Sequence, residues 1–169
     1  MQVHQVQTED GYILGLTRIT QSPLAKKCQG DCHKPVVFLQ HGMFSSSDTW
    51  IILPPETGLA YLLADSGFDV WMGNSRGNRY SKAHANLSVD SSQFWQFSFH
   101  EIGVYDLPAM LDYVLQVSGE KSLHFIGDSQ GSSGFVVMLS ERPEYNDIIR
   151  SSHHLGPVVF VDNVKTPFT

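Results

Sequence analysis

The sequence predicts an α/β fold: a mostly parallel sheet with helices on both faces and an antiparallel hairpin at its N-terminus. Two observations carry this prediction. The first two strand candidates alternate apolar and polar residues, whereas later ones are continuous apolar runs that alternate with segments of helical periodicity. The 169 residues fit one domain, or an incomplete piece of a larger one.

The N-terminal strands are predicted from turn residues and from the hydrophobic pattern. Residues 3–8 and 12–20 flank Asp10-Gly11, which is typical of a hairpin with a tight turn. Residues 35–40 are a continuous apolar run that fits a strand buried on both faces of a sheet.

The middle of the chain predicts a helix, a strand and a long loop. Leucines at helical spacing mark a helix over residues 57–66, and Gly67 ends it. Residues 68–72 form the next strand. Residues 73–97 are longer than a simple connection requires, so we expect this loop to shape a site or a partner surface.

The remaining elements continue the alternation of helices and strands. Apolar spacing predicts a helix over residues 106–117, which ends at Gly119. A strand over 123–126 leads through a turn into a helix over 132–141. The apolar run 156–161 is predicted as the sixth strand.

Composition excludes two classes of partner or location. Lys plus Arg number 11 and Asp plus Glu number 17, for a net charge of −6, and no basic block is present to neutralise nucleic-acid phosphates. No apolar run approaches the ~20 residues of a membrane-spanning helix. The N-terminus lacks the basic start and apolar stretch of a signal peptide, so we expect an intracellular protein or a presequence absent from this chain.

The two cysteines offer a minor structural feature. Cys28 and Cys32 lie in a polar stretch and would form a small surface disulfide in an oxidising compartment. A zinc site that adds His33 has only three nearby ligands at poor spacing, so no metal site is predicted.

The strongest chemical signal is the motif Gly127-Asp128-Ser129-Gln130-Gly131, which matches G-x-S-x-G between a predicted strand and a predicted helix. This context requires a sharp turn that lifts a serine hydroxyl above the sheet edge, with glycines that avoid collisions. Ser129 is therefore the candidate nucleophile. The following helix offers free N–H groups and a partial positive charge, so the Gln130 N–H is a candidate oxyanion donor.

A second oxyanion donor is expected in the loop after the third strand. His41-Gly42-Met43 occupies that place, and the Met43 N–H is the natural donor. His41 precedes Ser129, against the chain order serine, acid, histidine, so we interpret it as a residue that shapes the loop.

Several long segments resemble the acid lipases of the gastric and lysosomal type, within the α/β-hydrolase fold. The segments are residues 8–14 (TEDGYIL), 40–42 (QHG), 60–78 (AYLLADSGFDVWMGNSRGN), 105–109 (YDLPA) and 156–158 (GPV). The resemblance implies a secreted or lysosomal enzyme that hydrolyses neutral lipid esters, triacylglycerols or cholesteryl esters, at a lipid–water interface and without a cofactor.

One residue beside the nucleophile departs from the family. Asp128 stands where the family usually has histidine. An ionised carboxylate there should hinder a reaction that builds negative charge on the substrate, and less so when protonated in acid.

The triad acid and histidine are not recognisable in this chain. Ser129, Asp147 and His153 have a formal triad order, but we interpret it as accidental because both His153 and His154 precede the predicted sixth strand. Asp162 follows that strand, yet no histidine comes after it. We therefore expect residues 1–169 to be the N-terminal part of the domain, with the remaining strands, lid, acid and histidine beyond them.

Two alternatives stay open. The chain is also compatible with a truncated, catalytically incompetent module that binds lipid or another protein. It is further compatible with an esterase or peptidase of other specificity, because the lid that sets substrate choice is absent.

Three smaller signals complete the sequence reading. Asn86-Leu87-Ser88 is an N-glycosylation sequon in the long loop. Arg76 is expected to pair with Glu101 or Asp106 and to fix that loop below the site. An aromatic group fits core packing better than a lipid-contacting rim; it comprises Phe94, Trp95, Phe97 and Phe99.

Overall fold

The computed structural model describes residues 1–20 and 33–160. Cys28, Cys32 and Asp162 lie outside the described residues. His33 lies within them, and its Nε2 pairs with Glu120 Oε1 at 2.8 Å.

The described part of the chain forms a seven-stranded sheet flanked by helices. The strands are β1 (Gln2–Gln7), β2 (Tyr12–Ile19), β3 (Val36–Gln40), β4 (Asp69–Gly73), β5 (Ala83–His84), β6 (Leu123–Asp128) and β7 (Ile149–Leu155). The helices are α1 (Leu59–Asp65), α2 (Phe99–Glu101), α3 (Leu107–Ser118) and α4 (Gln130–Glu141). Single 3-10 turns span Ser47–Trp50, Ser92–Trp95 and Pro143–Ile148.

The sheet has the order β1-β2-β4-β3-β6-β7, and β5 pairs with β2. The three pairs that involve β3 and β6 are parallel, while β1, β2, β4 and β5 pair antiparallel around β2. The expectation of a mostly parallel sheet with an antiparallel N-terminal hairpin is therefore confirmed.

The central strand β3 positions the candidate site. All five of its residues are buried, as a strand covered on both faces requires. Gln40 at its end lies opposite Gly73 of β4 and Gly127 of β6. Because parallel strands end at the same edge, the loops after β3, β4 and β6 meet there.

Two apolar clusters cover the two faces of the sheet. On one face, α3 and α4 pack through Leu107, Met110, Leu111, Val114, Phe135 and Met138 against sheet residues that include Phe38, Trp71 and Phe125. On the other, α1 and the turn at Ser47–Trp50 pack through Trp50, Ala60 and Ala64 against Val37, Leu39, Val70 and Met72. The helices thus lie on both faces, as predicted.

No helix within residues 1–20 and 33–160 has the length and apolar character needed to span a bilayer.

The prediction of the last strand is wrong. Residues 156–160 are not strand, and the sixth strand of the main order is instead β7, Ile149–Leu155. The apolar composition of 156–160 misled the prediction, since Val158, Val159 and Phe160 are exposed. β7 was missed because its residues are largely polar, with side chains that are exposed or partly exposed in the described part of the chain.

Two element boundaries also differ from the sequence prediction. The long loop contains the short strand β5 and the 3-10 turn Ser92–Trp95. The helix predicted from residue 106 is preceded by α2 and a π-helical turn, Ile102–Asp106. Ser98 caps α2 in a capping box with Glu101, a local signal that the aromatic residues around it obscured.

Candidate active site

Ser129 lies at a sharp turn between β6 and α4. Its backbone angles are φ 47° and ψ −114°, outside the regions that residues with a side chain normally occupy. Holding such a conformation costs on the order of 1–3 kcal/mol, and such strain is concentrated at functional sites. The turn has the form expected of a G-x-S-x-G elbow.

The two motif glycines are required by close backbone contacts. A Cβ on Gly131 would lie 2.5 Å from the carbonyl oxygen of Gln40 and 2.9 Å from that of His41. A Cβ on Gly127 would lie 3.0 Å from the backbone nitrogen of Ser132. The absence of side chains therefore lets α4 begin directly against the end of β3.

The loop after β3 runs beside the serine. A Cβ on Gly42 would lie 3.1 Å from the Cβ of Ser129 and 3.0 Å from Oδ2 of Asp128. Met43, next in the chain, and Gln130 both line the same cavity. The structure thus places Gly42 beside the candidate nucleophile Ser129, and it brings the two candidate oxyanion donors, Met43 and Gln130, to one cavity.

His41 is buried at the start of this loop, and its two ring nitrogens bond to two different loops, those after β3 and β4. The N–H of Ser75 and the side-chain amide of Asn78 donate to Nε2 at 3.2 and 3.0 Å. Nδ1 therefore carries the proton and donates to the Gly42 carbonyl at 2.7 Å. Burial lowers the pKa of His41, against smaller raising effects of the Gly42 bond and Asp128. This geometry matches a neutral ring that shapes the loop.

Arg76 holds the loop after β4 in place, and it does so with two carboxylates. Its Nε donates to Asp106 Oδ1 at 2.7 Å, which confirms Asp106 and not Glu101 as the expected partner. Its two terminal nitrogens donate to Asp10 at 2.6 and 2.9 Å. The guanidinium also lies 4.0 Å from the Tyr12 ring centre. The sequence reading identified Asp10 only as a turn residue.

A cavity of about 1020 Å³ opens beside the serine turn, between the loops after β3 and β4 and the segment around α2. The apolar side chains that line it are Met43, Phe44, Ile52, Trp95, Phe97, Phe99 and Ile102. The interpretation of the aromatic group as core holds for Phe94, which is fully buried, but Trp95 and Phe99 are exposed at this cavity.

The formal triad is not assembled within the described residues. Asp147 is exposed in a 3-10 turn. His153 lies on β7 opposite Ile126, and its Nε2 is 3.4 Å from the Ser151 hydroxyl. The expectation that both histidines precede the sixth strand is wrong, because His153 and His154 lie on that strand. His154 packs against the Phe135 ring at 5.1 Å between centres.

The end of β7 contributes a contact that the sequence reading missed. The Leu155 carbonyl accepts the N–H of Ser129 at 2.9 Å. Further along, the Ser133 hydroxyl of α4 donates to the carbonyl of Val158. No sequence pattern pointed to these bonds, because the main chain of 155–158 provides the acceptors.

The sheet order, the elbow and the loop after β3 together define an α/β-hydrolase. The chain belongs to this family: the family model described as alpha/beta hydrolase fold matches residues 35–167. A second model, described as partial alpha/beta-hydrolase lipase region, matches residues 1–53.

The similar curated proteins are named lipases. Lipase 3 of Drosophila melanogaster is 52% identical over 169 residues, which are 100% of this chain and 42% of that protein. Gastric triacylglycerol lipase of Homo sapiens is 44% identical over 164 residues, 96% of this chain and 40% of that protein. The chain thus spans about two fifths of the length of these relatives.

Solved structures share the fold at low sequence identity. The esterase Pf2001 of Pyrococcus furiosus matches with a TM-score of 0.65 at 19% identity, over 95% of this chain and 52% of that chain. An epoxide hydrolase mutant of Vigna radiata matches with a TM-score of 0.62 at 17% identity, over 99% of this chain and 42% of that chain. Because esterases and epoxide hydrolases share it, the fold alone does not select a reaction.

Proposed function

We propose that this chain is the nucleophile-bearing part of a serine lipase that hydrolyses carboxylic esters. The observation that carries the proposal is the strained backbone of Ser129 at the junction of β6 and α4. A fold keeps such a conformation only where the surrounding structure enforces it. Here the N–H of Ser129 is bound by the Leu155 carbonyl, and Gly42 lies so close that an added Cβ would be 3.1 Å from the Cβ of Ser129.

The proposed chemistry uses one hydroxyl and two backbone N–H groups. Ser129 Oγ attacks the ester carbonyl, and the N–H groups of Met43 and Gln130 hold the oxyanion. Gln130 is the first residue of α4, where N–H groups are free of helical partners and the helix dipole is positive. A histidine must still remove the serine proton. We assign that histidine and its acid to the remainder of a longer protein.

The incomplete-domain proposal rests on the share of the relatives that is covered. Curated relatives that match 97 to 100% of this chain extend to more than twice the matched length. A native gene product well above the 18.9 kDa of this chain supports the proposal. A product of 18.9 kDa alone would favour the truncated module instead.

We propose neutral lipid esters as substrates, met at a lipid–water interface. The relatives' names support a lipid ester, since one is a gastric triacylglycerol lipase. Exposed apolar side chains around the cavity support contact with an apolar surface; they include Phe44, Ile52, Trp95 and Phe99.

We further propose a secreted or lysosomal glycoprotein, with Asn86 as the glycan acceptor. Asn86 is exposed in the loop after β5. The next residue, Leu87, packs against the core and so directs its neighbour outward. The Asn86 backbone N–H is bonded to His84, while the described residues give its side-chain amide no hydrogen bond.

The test of the proposed reaction is a pair of serine substitutions in the full-length protein. Ser129→Ala should lower kcat/KM on p-nitrophenyl butyrate by at least about 10⁴-fold. Ser140→Ala on the same helix α4 removes a hydroxyl bonded only within that helix and should leave the rate unchanged. Full activity in Ser129→Ala would refute the proposal.

A further inference from the structure

Asp128 places a carboxylate beside both the candidate nucleophile and the loop after β3. It is the last residue of β6 and directly precedes Ser129. Its Oδ2 would lie 3.0 Å from a Cβ on Gly42, the residue before Met43. The carboxylate therefore stands next to the residues that flank the reacting ester in the proposed mechanism.

The charge of Asp128 is not neutralised within the described part of the chain. The side chain is half-buried, and residues 1–20 and 33–160 give its carboxylate neither a hydrogen bond nor an ion pair. The titratable side chain in its electrostatic range is His41, whose pKa is lowered by burial against the opposing effect of Asp128. His41 is a neutral ring that donates to the Gly42 carbonyl. Opposite Asp128 on β7 lies the uncharged Leu155.

The proposed attack on the ester adds no net charge beside Asp128. When Ser129 Oγ bonds to the ester carbon, the serine proton passes to a histidine, so the oxyanion forms together with an imidazolium. The two new charges have opposite signs. The Asp128 charge therefore opposes the attack only weakly.

The product does add a net charge. Water supplies the hydroxyl that bonds to the acyl carbon, the bond from that carbon to Ser129 Oγ breaks, and the serine regains its proton. The released carboxylic acid then gives its proton to solvent at neutral pH. The bound product is thus an anion with no new cation beside it, and a second carboxylate close by raises its free energy.

The proposed oxyanion donors would otherwise retain this product. Carboxylate oxygens bind well to free N–H groups at the start of a helix, where the helix dipole is positive. Gln130 is the first residue of α4, and it lines the cavity together with Met43. A product carboxylate therefore competes with the next ester for the same two N–H groups.

We propose that Asp128 is a specificity-determining residue that disfavours carboxylates at the reacting position, so that the acid product leaves and an uncharged ester binds. The inference rests on the proposed ester hydrolysis. It also gives a function to an acidic side chain at the motif position where the acid lipases that this chain resembles usually have histidine.

The test measures inhibition of p-nitrophenyl butyrate hydrolysis by butyrate and by the uncharged butyramide, at neutral pH and in the full-length protein. Asp128→Asn removes the charge and keeps the shape of the side chain. It should lower the Ki of butyrate by roughly three- to tenfold, as expected for a half-exposed pair of like charges, and leave the Ki of butyramide unchanged. Glu141→Gln, at an exposed carboxylate at the far end of α4, should keep both wild-type values.

Ionic strength tests the same charge without a substitution. Raising the salt concentration from about 0.01 M to about 1 M screens Asp128, so the Ki of butyrate for the wild-type protein should fall while that of butyramide stays constant. Equal butyrate Ki values in the wild-type protein and Asp128→Asn, or equal shifts for butyrate and butyramide, would overturn this inference while ester hydrolysis stands. Absence of p-nitrophenyl butyrate hydrolysis by the wild-type protein would instead refute the proposed function, and this inference with it.

Discussion

The backbone N–H of Ser129 donates to the carbonyl oxygen of Leu155 at 2.9 Å. This bond joins the serine turn to the end of β7, so the geometry of the turn depends on that strand as well as on the glycines around it. The strained angles of Ser129 are thus held from two sides, by Leu155 and by the close approach of Gly42.

Gly131→Ala should destabilise the protein strongly, because its Cβ would lie 2.5 Å from the backbone oxygen of Gln40, which cannot move aside. We expect a loss of about 3 kcal/mol or more in the free energy of unfolding, measured by urea denaturation of the full-length protein. Gly134→Ala on the same helix is the matched control. Its Cβ would meet side-chain atoms at 3.3 and 3.5 Å and a backbone atom, the nitrogen of Gly103, only at 3.8 Å, so higher helix propensity should leave this variant neutral or slightly more stable. Equal stability of the two variants would contradict the packing argument.

Arg76→Met should cost about 3–5 kcal/mol in the free energy of unfolding, since it removes the side-chain donors that Asp10 and the buried Asp106 share and the cation between them. Arg79→Met is the control, because Arg79 is exposed and its carboxylate partner is 3.7 Å away. That variant should change stability by no more than about 0.5 kcal/mol. Thermal or urea unfolding of both variants measures the two changes in stability. Similar losses of unfolding free energy in the two variants would show that Arg76 has no special structural role.

The free energy of unfolding should fall as pH rises from 3.8 towards about 7, because burial raises the pKa of Asp106 to about 7 despite the opposing effect of Arg76. In this window the folded protein keeps a proton that the unfolded chain has released. Burial also acts to raise the pKa of Asp10, but hydrogen bonds from Arg76 and Thr8 outweigh it and lower that pKa, so the stability from Asp10 is lost only below pH 3.8.

Asp10→Asn tests this coupling, since the negative charge of Asp10 contributes to the raised pKa of Asp106. Urea midpoints measured between pH 4 and pH 7, roughly the window set by the two pKa values, should slope less steeply in Asp10→Asn than in the wild-type protein. Glu9→Gln, at an exposed carboxylate next along the chain, should keep the wild-type slope. Parallel slopes in all three proteins would argue against the coupling of Asp10 to Asp106, and a flat wild-type slope would argue against titration of Asp106 in this range.

Asn86→Gln should abolish a glycan on the protein secreted from animal cells, because the exposed amide lies in the sequence's single Asn-x-Ser/Thr sequon. Mass spectrometry before and after enzymatic deglycosylation measures the mass of the attached glycan. Ser88→Ala should have the same effect while leaving Asn86 in place. Asn78 lies outside a sequon, but its side chain bonds to His41, so Asn78→Gln is not a suitable control. Exposed Asn146→Gln is suitable and should keep the glycan. An unmodified wild-type protein would exclude the site.

The serine turn and the parallel sheet were predictable because local chemistry determines them. Ser129 lies in a motif whose glycines are required by backbone contacts, and β3 is apolar because both its faces are covered. β7 was missed because strand pairing, not side-chain hydrophobicity, places the polar residues Ser151 to His154 beside β6. Asp10 was identified as a turn residue, and only the folded chain brings it to Arg76 across 66 positions of sequence.

The contacts of Arg76 also bear on the order of folding events. One guanidinium joins carboxylates that lie 66 and 30 positions away along the chain, so these bonds close two long loops and cannot form early without a large entropic cost. Contacts that form after the transition state slow unfolding more than they speed folding. The ion pairs of Arg76 with Asp10 and Asp106 are therefore expected to form late in folding and to slow unfolding. They prolong the lifetime of the folded state once the N-terminal hairpin, the loop after β4 and the turn before α3 are in contact.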